Sequence, residues 1–207
     1  MNMNANLLAS RIWPATGEAS LSRAAILAVL GSLFVALAAQ ISVPMFPVPM
    51  TMQTLAVLAV GGAYGMRLGA GTLALYAIEG AVGLPVFANF QAGLFLPTGE
   101  IFATGGFIIG FILAAGLVGY LVEKGWGSSV VKLSCAMLLG AAILYIPGLV
   151  WLATWLGLLK GMDATAAMSV ALTSGLLPFI PGDIVKAVLA ALAFPAAFSM
   201  LGPSNKH

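Results

Sequence analysis

Residues 101–122 read IFATGGFIIGFILAAGLVGYLV, an apolar stretch with no charged side chain that ends at Glu123 and Lys124. As a helix rising 1.5 Å per residue it would reach about 33 Å, enough to cross a hydrocarbon core about 30 Å thick. Its apolar positions run on continuously instead of alternating every second residue, which excludes the strands of an outer-membrane barrel. The rest of the chain repeats the pattern. Only 8 Lys and Arg and 6 Asp and Glu occur in 207 residues, or 7% charged against about 25% in ordinary globular proteins. With 61% hydrophobic residues and a mean hydropathy of +1.09, there are too few polar groups to cover a water-facing surface.

Hydropathy and helix breakers place spans near 21–43, 51–66, 68–84, 101–122, 133–156 and 178–200. The expected fold is therefore an all-α integral membrane protein, a six-transmembrane-helix bundle forming a single membrane domain over 1–207. The second and third spans are short and joined only by the Gly65-Met66-Arg67-Leu68-Gly69 turn. An even number of spans puts both termini on one side, together with Arg11, Arg23, Arg67, Lys124, Lys132 and Lys206, leaving only Lys160 across and Lys186 inside a span. Cytoplasmic loops retain positive charge, so both termini are expected in the cytoplasm, residues 1–20 forming a cytoplasmic segment. That segment lacks the basic start and apolar run of a cleavable signal, so it is expected to stay in the mature chain. Loops 44–50, 85–100 and 157–177 then face outward.

Composition also narrows the function. A net charge of +2 without any Lys/Arg cluster gives nucleic acid nothing to follow. One cysteine, Cys135, and one histidine, His207, cannot assemble a Cys/His metal site, so no metal or cofactor is expected. No nucleophile elbow, metal-ligand helix or phosphate loop occurs, and a membrane hydrolase would have only Glu79, Asp183 and Lys186 to serve as base. The expectation is that the chain is not an enzyme.

Those three residues attract attention for another reason. A charge inside a span costs roughly 2.5–3.5 kcal/mol on insertion scales, so it needs a partner or a purpose. In Pro181-Gly182-Asp183-Ile184-Val185-Lys186 the two charges sit three apart, on one helix face. They would form either half of a pocket or a pair that merely neutralises itself. Glu79 lies in the same outer half, where the three charges could converge. The loop Pro44-Met45-Phe46-Pro47-Val48-Pro49-Met50-Thr51-Met52-Gln53-Thr54 is stiff and apolar, suited to one wall of a small-molecule pocket or to a plain connector with Gln53 as interhelical glue. Asn89 offers an amide between Phe87 and Phe90. Tyr145, Trp151 and Trp155 read as belt anchors or ligand contacts. Ala24, Ala28, Ser32 and Ala36 recur every fourth residue, a stripe where another helix can approach, inside the bundle or outside it.

Three separated stretches together resemble the BioY family, the biotin-specific substrate-capture (S) components of energy-coupling-factor (ECF) vitamin transporters. They are Val43–Leu55 with its three prolines, Gly80-Ala81-Val82-Gly83-Leu84-Pro85-Val86-Phe87-Ala88, and Pro181–Lys186, in the family's order and on a chain of its length. The resemblance implies a six-helix S-component fold and high-affinity biotin capture in the cell's inner (cytoplasmic) membrane. It further implies work with a transmembrane coupling protein and two cytoplasmic ATPases. An autonomous transporter or facilitator, or a homo-oligomer, stays open as an alternative.

By that resemblance Asp183, Lys186 and Asn89 contact biotin, and Ala24, Ala28, Ser32 and Ala36 dock the coupling protein. Gln53, Glu79, Phe46, Met50, Phe87, Tyr145 and Trp151 complete the expected pocket, with Glu79 paired to Lys186. The chain departs from the family where a Gly-Pro-Thr-Gly-Gly-Tyr motif usually precedes the fourth span. It has Leu96-Pro97-Thr98-Gly99-Glu100 and then Ala103-Thr104-Gly105-Gly106-Phe107, with no arginine between 85 and 123. A channel would need a polar lining throughout, and the inner halves of the spans carry almost only Ala, Gly, Leu and Val.

Overall fold

A computed structural model describes residues 7–13, 19–93 and 102–200, with side chains for all of these except 11, 12, 19 and 193–200. The Leu96-Pro97-Thr98-Gly99-Glu100 stretch, Lys206, His207 and the Arg11 side chain, all used above, lie outside the described residues. The elements are α1 (Leu8–Ile12), α2 (Ala19–Gln40), β1 (Ser42–Val43), β2 (Met50–Thr51), α3 (Gln53–Ala81), α4 (Gly105–Glu123), α5 (Val130–Lys160), α6 (Ala164–Gly175) and α7 (Ile180–Met200).

Residues 20–40 within α2, together with α4 and α5, are long and apolar enough to cross a membrane, and α6 with α7 makes a fourth candidate bent by 48°. Their outer faces carry Leu30, Leu33, Phe34, Leu37, Ile109, Leu139 and Val150, all exposed, as a lipid-facing surface requires.

The element α3 is a hairpin and not a straight rod. Gly65, at φ 83° and ψ −179°, breaks it in a backbone region that only glycine enters without strain. The two limbs fold back on each other. A Cβ at Gly69 would lie 3.1 Å from the Gly61 Cα, and the Gln53 amide reaches the Tyr76 hydroxyl at 2.7 Å across 23 positions. The stretches expected as short second and third spans fold as these limbs. Small residues let α4 press against them: a Cβ at Gly61 would meet the Ala115 carbonyl oxygen at 2.6 Å. Lipid gives helices no hydrophobic reason to associate, so backbone approach of this kind supplies the packing.

One expectation is corrected here. Residues 157–177 were read as a loop. Instead α5 continues to Lys160 and α6 occupies most of the rest. The Asp163 carboxylate caps α6, accepting from the Thr165 and Ala166 backbone N–H groups at 2.9 and 3.0 Å. From there α6 and α7 run back along α5 as one broken partner. Gly175 lies beside Leu152, Asp183 beside Tyr145, and Ala187, Ala190 and Ala191 share a core with Met137 and Leu133. The break falls beside the buried charges.

Candidate binding site

The first turn of α7 tolerates Pro181 because its missing N–H has no helical acceptor there. The next residue pair defines the site. Asp183 and Lys186, 5% and 7% exposed, sit 3.2 Å apart between carboxylate Oδ1 and ammonium Nζ. Each has a further partner on another element. Lys186 Nζ donates to the Thr51 carbonyl at 2.8 Å, and the Tyr145 hydroxyl donates a short hydrogen bond to Asp183 Oδ2. The pair thus joins α7 to β2 and to α5. Charges in so apolar an interior persist only when paired and hydrogen-bonded in this way.

A second polar chain runs beside it. Gln53 Nε2 donates to the Tyr76 hydroxyl, which donates to the Val86 carbonyl at 3.0 Å, and Thr51 Oγ1 donates to Gln53 Oε1 at 3.1 Å. Phe87 fills the space beneath, edge-on to Tyr76 at 5.6 Å between centroids. Thr51, Gln53, Tyr76, Phe87, Tyr145 and Lys186 line an inner cavity of about 60 Å³, with Phe107, Phe111 and Phe179 as its apolar wall. A single water needs about 10–15 Å³ on this scale, so the cavity holds several.

An outer cavity of about 260 Å³ shares Pro49 and Thr104 with the inner one and is rimmed by Phe46, Asn89, Gln91 and Trp155. Two hinge-like clamps shape it. The strands β1 and β2 pair antiparallel, Ser42 with Thr51 and Val43 with Met50, holding the 44–49 loop, in which the Phe46–Pro47 bond is cis. Across from it, Gln40 at the end of α2 donates to the Phe87 carbonyl at 3.0 Å and accepts from the Phe90 N–H at 3.0 Å. That grip encloses Asn89, held at φ 59° and exposed, its Oδ1 3.4 Å from the Ser42 hydroxyl. An inner end with donors and acceptors, beside a wider and more apolar chamber, suits a small ligand with a polar head and an apolar tail.

The remaining expected residues separate. Glu79 does not reach Lys186: its Oε2 accepts a short hydrogen bond from Ser32 on α2, so the expected three-charge convergence is corrected to a pair. Ser32 and Ala36 are buried, in contact with the bundle's interior, while Ala24 and Ala28 stay half-buried. Trp151 donates its indole N–H to the Phe102 carbonyl at 2.7 Å and packs on Gly105, a prop for α4 outside both cavities. Met50 lies beside α7, its sulfur 3.5 Å from where a Cβ at Gly182 would sit. Sequence reasoning overlooked Tyr76, Thr104 and Gln40 as site formers, whereas Thr51 and Trp155 were among the residues it considered. A tyrosine between two apolar runs was the signal available for Tyr76, since a buried hydroxyl needs a partner.

Comparison with known proteins follows the same lines. The BioY family model matches residues 6–202. A probable biotin transporter BioY from Pyrococcus horikoshii is 39% identical over 166 residues, 79% of this chain and 90% of that protein. The biotin transporter BioY of Rhizobium etli is 37% identical over 178 residues, 82% and 85%. The crystal structure of the S-component for biotin from an ECF-type ABC transporter superposes with a TM-score of 0.68 over 89% of this chain and 95% of that one, at 21% identity.

Proposed function

Since the chain belongs to the BioY family, we propose that it captures biotin and carries it across the cytoplasmic membrane as the substrate-binding component of an ECF-type transporter. The observation that carries this reading is the buried Asp183–Lys186 pair, whose lysine lines the inner cavity together with Tyr145, the hydrogen-bond partner of Asp183. Its opposite charges cancel, which suits a neutral ureido ring better than a carboxylate. Asp183 accepts from a ureido N–H, because two hydrogen bonds leave a carboxylate with lone pairs to spare. Lys186 donates to the ureido oxygen, and Asn89, on the rim of the outer chamber, donates to the valerate carboxylate. The thiophane ring and valerate chain rest on Phe87, Phe46, Met50 and Trp155, with the carboxylate in the outer chamber.

The membrane arrangement in this reading counts α2, the two limbs of α3, α4, α5 and the α6–α7 pair as six passes. Both termini and the Gly65 turn face the cytoplasm, where Arg23, Arg67, Lys124 and Lys132 gather. The protein performs no covalent chemistry. Loops 44–49 and 85–93 close over bound biotin, and two ATPase subunits acting through a transmembrane coupling protein re-orient the bundle to release it inward. Ala24 and Ala28 at the cytoplasmic end of α2 are the surface that the coupling protein meets.

The test is competition in detergent. Labelled biotin is displaced from the purified protein by unlabelled biotin and not by thiamine or riboflavin. Displacement by either vitamin would assign the cavity to another ligand.

A further inference from the structure

At the end of the bundle opposite the biotin site lies a larger cavity, about 590 Å³, walled by Arg23 of α2, Tyr64 and Arg67 beside the Gly65 turn, Tyr120 and Glu123 of α4, and Lys124 after it. Three cations face one carboxylate. That carboxylate is already engaged, Glu123 Oε1 accepting from the Met66 backbone N–H at 2.9 Å. Lys124 lies 5.4 Å from the Tyr120 ring centroid. Among the described residues the one ion pair is Lys186–Asp183, so none of these three cations has a carboxylate of a described residue within 4 Å. Arg23 is the most demanding: its Nε is buried without a hydrogen-bond partner among the described residues. Leaving a buried charged donor unpaired is costly, and a guanidinium fork matches the oxygens of a phosphate.

The rim of this cavity decides what kind of phosphate fits. Leu7, Leu68 and Met66, the last 47% exposed, line it, and Leu21, which follows the lining Ser20 on α2, is 80% exposed, part of the apolar outer surface of that helix. A free ion has no use for that surface, whereas acyl chains would run along it. We propose that this cavity binds the phosphate headgroup of an anionic phospholipid, whose chains lie along α2. Basic pockets between membrane helices are suited to such headgroups. The site is separate from the biotin site and does not depend on what that site binds.

The experiment follows apparent melting temperature of the purified full chain in neutral detergent. The additives are short-chain phosphatidylglycerol, phosphatidylcholine of the same chain length, and inorganic phosphate. Phosphatidylglycerol raises the midpoint saturably and phosphatidylcholine does not. The exposed-residue variants Arg67→Gln and Lys124→Gln each raise the half-saturating phosphatidylglycerol concentration about fivefold, and adding Arg23→Gln to both abolishes the effect. Gel filtration and circular dichroism keep a misfolded variant from counting. Equal stabilisation by both lipids, or a phosphatidylglycerol effect that survives in the triple variant, would overturn the proposal. A matching shift from inorganic phosphate alone would reassign the cavity to a free ion.

Discussion

The hydroxyl of Tyr145 on α5 donates to Asp183 on α7, a residue 38 positions later, and so fixes the carboxylate from the side opposite Lys186. Neither partner alone orients both oxygens. Tyr145→Phe removes one restraint and keeps the ring that packs edge-on against Phe107 at 6.0 Å. Hydrogen bonds to charged groups contribute about 1.5–3 kcal/mol, so isothermal titration is expected to give biotin affinity weakened about tenfold or more, with a normal gel-filtration profile.

The buried pair separates stability from binding. Lys186→Met or Asp183→Asn alone leaves one partner uncompensated, which costs about 3–5 kcal/mol when the site is apolar. The double variant removes both charges. Its apparent melting temperature is expected to lie above that of Lys186→Met, while biotin binding is lost in all three. A double variant less stable than either single one would mean the pair holds the bundle together for its own sake.

The Gly65 turn is a backbone requirement. At φ 83° a side chain is strained by about 1–3 kcal/mol, and a Cβ there would also lie 2.8 Å from Leu7 Cδ1. Gly65→Ala is expected to lower the yield of monodisperse protein markedly, whereas Gly71→Ala, which has open space, leaves it unchanged.

Two alanines of the same helix stripe should behave differently. Ala28→Trp, at a half-buried position, is expected to spare biotin binding and block co-purification with the coupling protein. Ala36→Trp places an indole in the core and is expected to fail in both. Equal behaviour of the two would remove the docking assignment from the cytoplasmic end of α2.

What was legible in the sequence was local. The spacing of Asp183 and Lys186 puts them on one helix face whatever surrounds them, and the 3.2 Å contact follows from that. The family resemblance rested on three stretches that the family model now spans. Partner choice across the fold was not legible. Nothing in the chain around Glu79 says that Ser32, 47 positions earlier, takes it and that Lys186 does not. Trp151 read as a belt anchor or a ligand contact, and nothing near it in the chain points to the Phe102 carbonyl that its indole N–H meets. The helix α6 was hidden by its Ser and Thr content, although Asp163 before an Ala-rich run is a cap signal that could have revealed it.

The central claim is that biotin binds against Asp183 and Lys186. The most direct measurement is titration of biotin into the purified wild-type protein and into the Asp183→Asn/Lys186→Met double variant, both monodisperse. Saturable one-site binding by the wild type and at least a hundredfold weaker binding by the variant is the predicted result. Wild-type affinity in the double variant, or no binding by folded wild-type protein, would contradict the account.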